Sequence, residues 1–82
     1  MPTSENKLKH VVASVLGVDP ESIDENASVD TIATWDSLNH MKLVLALEEQ
    51  FSVILQAEQT VEILSYPLIM VVLSEHGIVF NS

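Results

Sequence analysis

The residues best suited to chemistry lie together between Trp35 and His40, where the sequence reads WDSLNH. A serine directly after an aspartate, with a histidine three residues later, supplies a hydroxyl, a carboxylate and an imidazole. Three uses fit this set: a helix cap, the centre of a serine hydrolase, or a point of covalent attachment. The choice depends on the element that holds the segment.

Asp36 is a good candidate for the N-cap of a helix that begins at Ser37, because its carboxylate accepts hydrogen bonds from first-turn N–H groups. Asp followed by Ser is common at helix starts, so local capping alone would explain the pair. The same placement also suits a phosphate-bearing group attached to Ser37, since a helix N-terminus has partial positive charge and unpaired donors. Taken by themselves, these residues leave capping and attachment open.

A hydrolase centre is the weakest of the three interpretations. His40 follows Ser37 on the same predicted helix after Leu38 and Asn39, with no sign of an oxyanion hole. A helical domain of 82 residues also offers little room for a substrate pocket. We therefore do not expect an enzyme.

The sequence does not favour a metal site either. The acidic stretch near Pro20 fails as a calcium loop, because Ile23 stands where an EF-hand needs a third oxygen ligand after Asp19 and Glu21. The three histidines share no ligand spacing, and we expect each to be solvated: His10, His40 and His76.

The helix that would hold the site is the strongest in the chain, running from Asp36 to about Phe51 in residues that favour helix. Its apolar residues form two stripes with helical spacing. We expect the first stripe to face the core, and it consists of Leu43, Val44, Leu47 and Phe51. The second stripe consists of Leu38, Met41 and Leu45. Because one stripe suffices to dock a helix, the second predicts a partner surface, although packing beneath a loop or the third helix would also explain it.

The remaining elements complete an all-α prediction: a small four-helix bundle of three longer helices and one short third helix. The first helix covers about residues 4–16, with Ser4 as a cap and Gly17 as a stop. A long loop from Val18 to Thr34 connects it to the second helix. The loop has three residues suited to fasten it to the core, namely Ile23, Val29 and Ile32.

The C-terminal part of the sequence predicts two more helices. A short third helix spans about Ala57 to Leu64. A fourth follows the cap Ser65 and ends at Gly77. Its predicted buried side consists of Leu68, Ile69, Val71, Val72 and Leu73. The apolar tail IVFNS receives no assignment.

Size and composition restrict the class of protein. Eighty-two residues suffice for one domain, which we expect to span residues 1–82. The longest apolar run, from Tyr66 to Leu73, is too short to cross a bilayer, and the N-terminus does not resemble a secretory signal. We therefore expect a soluble, cytoplasmic protein, and a monomer.

The charge of the chain restricts its partners. Its formal net charge of −9 would repel nucleic acid or an anionic lipid surface. A basic groove on another protein is the partner that this charge favours, although acidity can also serve solubility alone. Because the chain contains no cysteine, disulfides, thiolate metal sites and a thiol catalyst are all excluded.

The segment DSLNHMKLVLALEEQF, with a long loop before it and a short helix and an apolar helix after it, resembles the acyl carrier protein family. The similarity covers nearly the whole chain. Its most specific motif is Asp36-Ser37-Leu38, supported by the downstream LALEEQF pattern, the acidity and the length. The tripeptide alone would be a weak signal, and the combination is a strong one.

The resemblance implies that Ser37 is the attachment site of covalent 4′-phosphopantetheine, added from coenzyme A by a separate phosphopantetheinyl transferase. It implies that Asp36 helps to engage that transferase and its magnesium. It also assigns an apolar partner surface and two acidic positions for basic docking surfaces on acyl-transferring or acyl-activating enzymes. The residues so assigned are Leu38, Met41, Leu45, Glu48 and Glu49. The missing cysteine then fits, because the reactive thiol belongs to the prosthetic group.

Some residues depart from the family pattern. Gln56, Ala57 and Val61 stand where many members have acidic residues, and Ile54 occupies a commonly polar position. These departures indicate an exposed apolar surface that binds nonspecifically, a restricted set of partners, or a dimer.

The resemblance implies a carrier of acyl or aminoacyl thioesters in lipid or polyketide biosynthesis. The segment WDSLN lacks the paired glycines that often precede the serine in peptidyl carriers, which favours acyl cargo and secondary or surface-polysaccharide metabolism. The rival hypothesis is a helical adaptor without a prosthetic group, which would use the second stripe to bind a partner helix.

Overall fold

The helices occupy the positions that the sequence predicts, in a computed structural model that describes residues 4–80. Helix α1 spans Ser4–Leu16, α2 spans Ser37–Phe51, α3 spans Ala57–Glu62 and α4 spans Tyr66–Glu75. Within residues 4–80 there is no β-strand, and an isolated backbone bridge joins Ser28 to Ser65. The all-α prediction, with a short third helix and a long first loop, is confirmed.

Glycines end the first and last helices as the sequence predicts. Gly17 has φ of +69° and Gly77 has φ of +89°, in the left-handed region that a helix C-terminus often requires. Ser4, which we predicted as the cap of the first helix, instead lies inside α1 as its first residue. The residue before it lies outside the described part of the chain.

The core is a single cluster of side chains from α1, α2, α4 and the connecting segments, and no residue within α3 is buried. Helices α1 and α2 contribute side chains with essentially no exposure, including Leu8, Val12, Leu43 and Leu47. Val44 is partly buried against this cluster, and Phe51, the last residue of α2, belongs to it with 9% of its surface exposed. The first stripe of α2 is therefore the core stripe, as predicted.

The prediction for α4 is wrong at two of five positions. Ile69, Val72 and Leu73 are buried, but Leu68 and Val71 are 43% and 55% exposed. The apolar run circles the helix, and with 3.6 residues per turn one face cannot take five nearly consecutive side chains. Tyr66, three residues before Ile69, occupies the buried face instead.

The long loop is fastened to the core, as the sequence suggests. Ile23 and Ala27 are buried, while Val29 and Ile32 are partly buried against the cluster. The loop also pairs with the α3–α4 connection: the Val29 N–H donates to the Leu64 carbonyl at 3.0 Å, and the Tyr66 N–H donates to the Ala27 carbonyl at 2.9 Å. No residue pattern in the loop predicts this pairing. It places the loop beside the start of α2.

The C-terminal tail, to which the sequence assigned no place, also packs on the core. Ile78 and Phe80 are partly buried, and the rings of Phe80 and Phe51 lie 6.5 Å apart in a tilted arrangement. Asn81 and Ser82 lie outside the described residues. Within residues 4–80, none of the helices combines the length and apolarity needed to cross a membrane.

Candidate functional site

Asp36 caps α2 in the predicted way. It has an extended backbone, with φ of −100° and ψ of −176°, and its carboxylate accepts the Asn39 N–H at 2.9 Å. Its carbonyl accepts the His40 N–H at 2.8 Å. Ser37 is therefore the first residue of α2, and it is exposed to solvent.

The side chains of Trp35 and His40 form a polar contact next to Ser37. Trp35 is only 4% exposed, and its Nε1–H donates to His40 Nδ1 at 3.1 Å. The two rings stack with centroids 6.5 Å apart and planes inclined by 23°. A contact between the residue before the cap and a residue of the first turn is the arrangement of a hydrophobic staple.

His40 also connects α2 to α3. Its Nε2 lies 2.7 Å from the Thr60 carbonyl oxygen. Because an indole N–H only donates, His40 Nδ1 must accept, which assigns the second ring proton to Nε2 and makes Nε2–H the donor to Thr60. The prediction that His40 is solvated is wrong, since the histidine has internal partners at both ring nitrogens.

The other two histidines differ from each other. His76 is half-buried, with its Nε2 2.9 Å from the Gln59 side-chain oxygen, so the solvated prediction fails there too. His10 is exposed on α1, as predicted. Spacing along the sequence could not reveal these partners, because the contacts join residues 17 and 20 positions apart.

The arrangement does not suit a serine hydrolase. A catalytic histidine needs a ring nitrogen free to accept the serine proton. Here His40 Nδ1 accepts from Trp35, and Nε2–H is directed at Thr60. The imidazole is therefore structural, and Ser37 has no base supplied by this residue.

Within residues 4–80, no group of three or more His, Asp or Glu side chains is arranged to hold a metal ion. Asp19 illustrates why the acidic loop is not a calcium site. Its carboxylate accepts the Glu21 N–H at 2.8 Å and so caps a short 3-10 helix, Pro20–Ser22.

A phosphate ester at Ser37 fits its surroundings. The first N–H groups of a helix have no acceptor within the helix, and the positive end of the helix dipole favours an anion there. Beside the serine lies an open, mainly apolar groove of about 540 Å³. It is lined by Val29, Trp35, Asp36, Ser37, His40, Met41 and Leu64. An exposed hydroxyl thus stands at the mouth of a groove wide enough for a slender chain.

The second stripe of α2 is exposed along its length. Leu38, Met41 and Leu45 are 63%, 67% and 65% exposed, so packing beneath the loop or the third helix does not account for them. Two of the residues that depart from the family pattern are also exposed apolar side chains, with Ile54 81% and Val61 66% exposed. Exposed apolar groups at this density indicate an interaction surface.

The two acidic residues assigned to docking have different surroundings. Glu48 is half-buried, and its Oε2 accepts the Leu55 N–H at 2.8 Å, beyond the end of α2. Glu49 is exposed. The Glu48 carboxylate therefore holds the turn after α2, whereas the Glu49 carboxylate faces solvent.

Comparisons with known proteins agree with this geometry. Residues 6–65 match the family model described as the phosphopantetheine attachment site. An acyl carrier protein from Thermosynechococcus vestitus is 42% identical to the chain over 53 residues, which are 65% of this chain and 65% of that protein. The chain thus aligns with just under two thirds of this curated relative's length.

The matched region includes the exposed serine, its aspartate cap and the groove. The cofactor of such a domain is covalently attached 4′-phosphopantetheine, and the domain is a carrier and not a catalyst. The chain belongs to the family of phosphopantetheine-binding carrier domains that includes the acyl carrier proteins.

Proposed function

We propose that the chain is an acyl carrier domain in which Ser37 bears the 4′-phosphopantetheine group. The observation that carries this proposal is the exposure of Ser37 at the first position of α2, with Asp36 already serving as the cap. Capping therefore does not require the serine hydroxyl. That leaves the hydroxyl for attachment by a transferase that uses coenzyme A.

The group would supply the thiol that the polypeptide lacks, and that thiol would hold an acyl or aminoacyl intermediate as a thioester. The chain's own part is to hold the serine at a positive helix terminus and to present it to partner enzymes. Tethering the cargo raises its effective concentration at each partner site. Acyl cargo in lipid, polyketide or surface-polysaccharide synthesis remains the proposed class.

Partner enzymes would dock on the second stripe, with the charge of Glu49 beside it. The exposed apolar side chains supply contact area, and the net charge of −9 favours a basic docking surface. Glu48 is the weaker docking candidate because its carboxylate has an internal partner. Asp36 remains the proposed contact to the transferase. A monomer in the cytoplasm remains the prediction for oligomeric state and compartment.

Intact mass spectrometry tests the attachment site. After incubation with a promiscuous phosphopantetheinyl transferase and coenzyme A, the wild type should gain the mass of one prosthetic group. Ser37→Ala should gain none. Ser14→Ala, which changes an exposed serine on α1, is the matched control and should be modified like the wild type. An unmodified wild type, or modification of Ser37→Ala, contradicts the proposal.

A second variant separates the two roles of Asp36. Asp36→Asn keeps an oxygen that can cap α2 and removes the charge. It should fold with near wild-type stability and be modified more slowly, by about tenfold if the charge helps the transferase. Equal rates of modification would limit Asp36 to capping.

The adaptor hypothesis shares the exposed second stripe with the carrier proposal. The two differ in what Ser37→Ala does in the native host. An adaptor would keep its biological activity without the hydroxyl, whereas a carrier would lose it completely.

A further inference from the structure

The residues on either side of Ser37 are joined to each other. Trp35 lies two positions before the serine and His40 three positions after it, and the indole N–H donates to the imidazole at 3.1 Å. The amide of Asn39 adds a second connection, from its Nδ2 to the Thr34 carbonyl at 2.8 Å. The backbone that carries Ser37 is thus held in a closed turn.

The same imidazole reaches α3, a helix flanked by two buried side chains, Leu55 before it and Ile63 at its C-cap. This helix has six residues, none of them buried, and a helix so short is not stable by itself. On the α4 side, Gln59 bonds to Glu75 at 3.2 Å and to His76 at 2.9 Å. On the α2 side, the Thr60 carbonyl receives His40 Nε2–H at 2.7 Å. Between Leu55 and Ile63, α3 itself is therefore held by hydrogen bonds to its neighbours more than by burial of its own side chains.

The hydrogen bonds from Trp35 to His40 and from His40 to Thr60 can form in only one donor-to-acceptor order. The indole N–H can only donate, so His40 must accept at Nδ1 and donate at Nε2. Replacing either side chain with an apolar one leaves a partly buried donor or acceptor without its partner, which destabilises the folded arrangement. The series joins the serine turn to the helix that carries Val61, a residue 66% exposed.

We propose that Trp35, His40 and the Thr60 carbonyl form a positioning latch, which holds α3 against the Ser37 turn so that partner enzymes meet the serine, the second stripe and Val61 as one surface. This inference rests on the proposed function. Without the latch, only a fraction of molecules would present that surface in the competent arrangement. The apparent affinity of a partner enzyme falls in proportion to that fraction.

Transferase kinetics on the full-length apo protein test the latch. In both Trp35→Phe and His40→Leu, the KM for the carrier should rise about fivefold while kcat stays within about twofold, because roughly 1 kcal/mol of ordering is lost. His40→Gln retains an acceptor and a donor and should restore a KM near that of the wild type. His10→Leu, at an exposed histidine of α1, is the matched control and should match the wild type.

A spectroscopic measurement reports on the latch directly. The chain contains one tryptophan, so its indole N–H gives a single NMR resonance. That proton should exchange slowly with water in the wild type, at least tenfold more slowly than in His40→Leu. If Trp35→Phe does not fold, the comparison of His40→Gln with His40→Leu still decides.

Three results would overturn the latch: an indole proton that exchanges freely in the wild type, an unchanged KM in His40→Leu, or a loss confined to kcat. A loss confined to kcat would place the effect on the transfer step and not on the population of competent carrier. Because a partly unfolded carrier would also raise the apparent KM, circular dichroism must show wild-type helical content in His40→Leu. The two kinetic results presuppose a wild type that is modified at Ser37, whereas the exchange of the indole proton does not depend on modification. A wild type that is never modified contradicts the proposed function itself.

Discussion

The two sides of α2 carry the same kind of side chain for opposite purposes. Leu43 and Leu47 have no exposed surface, while Leu45, between them in sequence, is 65% exposed. A rotation of about 200° between Leu45 and either neighbour separates the two faces. One face supplies the free energy of folding, and the other keeps an apolar surface available to a partner at the cost of leaving it in water.

The largest difference between the two faces should be in stability. Leu47→Ala removes a fully buried side chain from the core and should lower the free energy of unfolding by about 3 kcal/mol, because it loses apolar burial and leaves a cavity. Urea denaturation followed by circular dichroism measures this change. A loss under about 1 kcal/mol would mean that the core beside Leu47 is loosely packed.

The matched control for this substitution lies two residues away. Leu45→Ala makes the same chemical change on the exposed face, and it should alter the free energy of unfolding by no more than about 0.5 kcal/mol. A large loss of stability in Leu45→Ala would show that the second stripe is covered in solution, for instance by another copy of the chain.

The second difference should be in recognition. If partner enzymes dock on the second stripe, Leu45→Ala should raise the KM of the transferase for the carrier about tenfold, as truncation of a central apolar contact often does. Steady-state kinetics of Ser37 modification measure this effect. Leu68→Ala, which truncates an exposed leucine on α4, is the control and should leave the KM unchanged. Equal effects of the two variants would remove the second stripe from the docking surface.

Comparison of α2 with α4 explains how far the sequence predicts the fold. In α2, polar residues lie before Leu43 and after Leu47, so periodicity over the whole helix identifies both faces, and the structure confirms the buried one. In α4, the apolar residues are nearly continuous, so the sequence has no alternation of apolar and polar residues that could identify the buried face. Leu68 and Val71 were therefore placed on the wrong side. Only the position of neighbouring helices determines which face of such a segment is buried.

The candidate site was predictable in its local part and not in its tertiary part. The Asp36 cap follows from residue preferences at a helix start, which are properties of adjacent residues. The bonds of His40 to Trp35 and Thr60 depend on how the chain folds back, and no spacing rule covers a contact between residues 40 and 60. The tryptophan immediately before the cap was the available clue, because a hydrophobic residue there often packs on the first turn.

Neighbouring glutamates repeat the contrast of the two faces on a smaller scale. Glu48→Ala removes the acceptor of the Leu55 N–H and should lower the free energy of unfolding by about 1 kcal/mol. Glu49→Ala changes an exposed carboxylate, and its effect on stability should lie within about 0.5 kcal/mol. Thermal denaturation of the two variants measures the difference. Glu48→Gln keeps an acceptor oxygen, so its stability should lie close to that of the wild type. Equal losses of stability in the two alanine variants would show that the bond from the Leu55 N–H to Glu48 does not stabilise the fold.

The buried face of α4 contains a residue, Tyr66, whose titration should make stability depend on pH. Burial, together with the nearby Glu5 carboxylate, raises the pKa of Tyr66 from 10.0 to about 12. The folded state thus keeps the phenol proton at pH values where the unfolded state has lost it. This contribution to stability is fully present below about pH 10 and is lost as the pH rises towards about 12.

Urea midpoints measured across that range test the assignment, with Tyr66→Phe as the comparison. The wild type should lose more stability than Tyr66→Phe between about pH 10 and about pH 12, because phenylalanine has no proton to release. Near neutral pH the two should differ little, since the Tyr66 hydroxyl reaches the Glu5 carbonyl only at 3.5 Å, the outer limit of a hydrogen bond. Parallel losses in the two proteins would show that Tyr66 does not cause the alkaline transition and would place its hydroxyl in water.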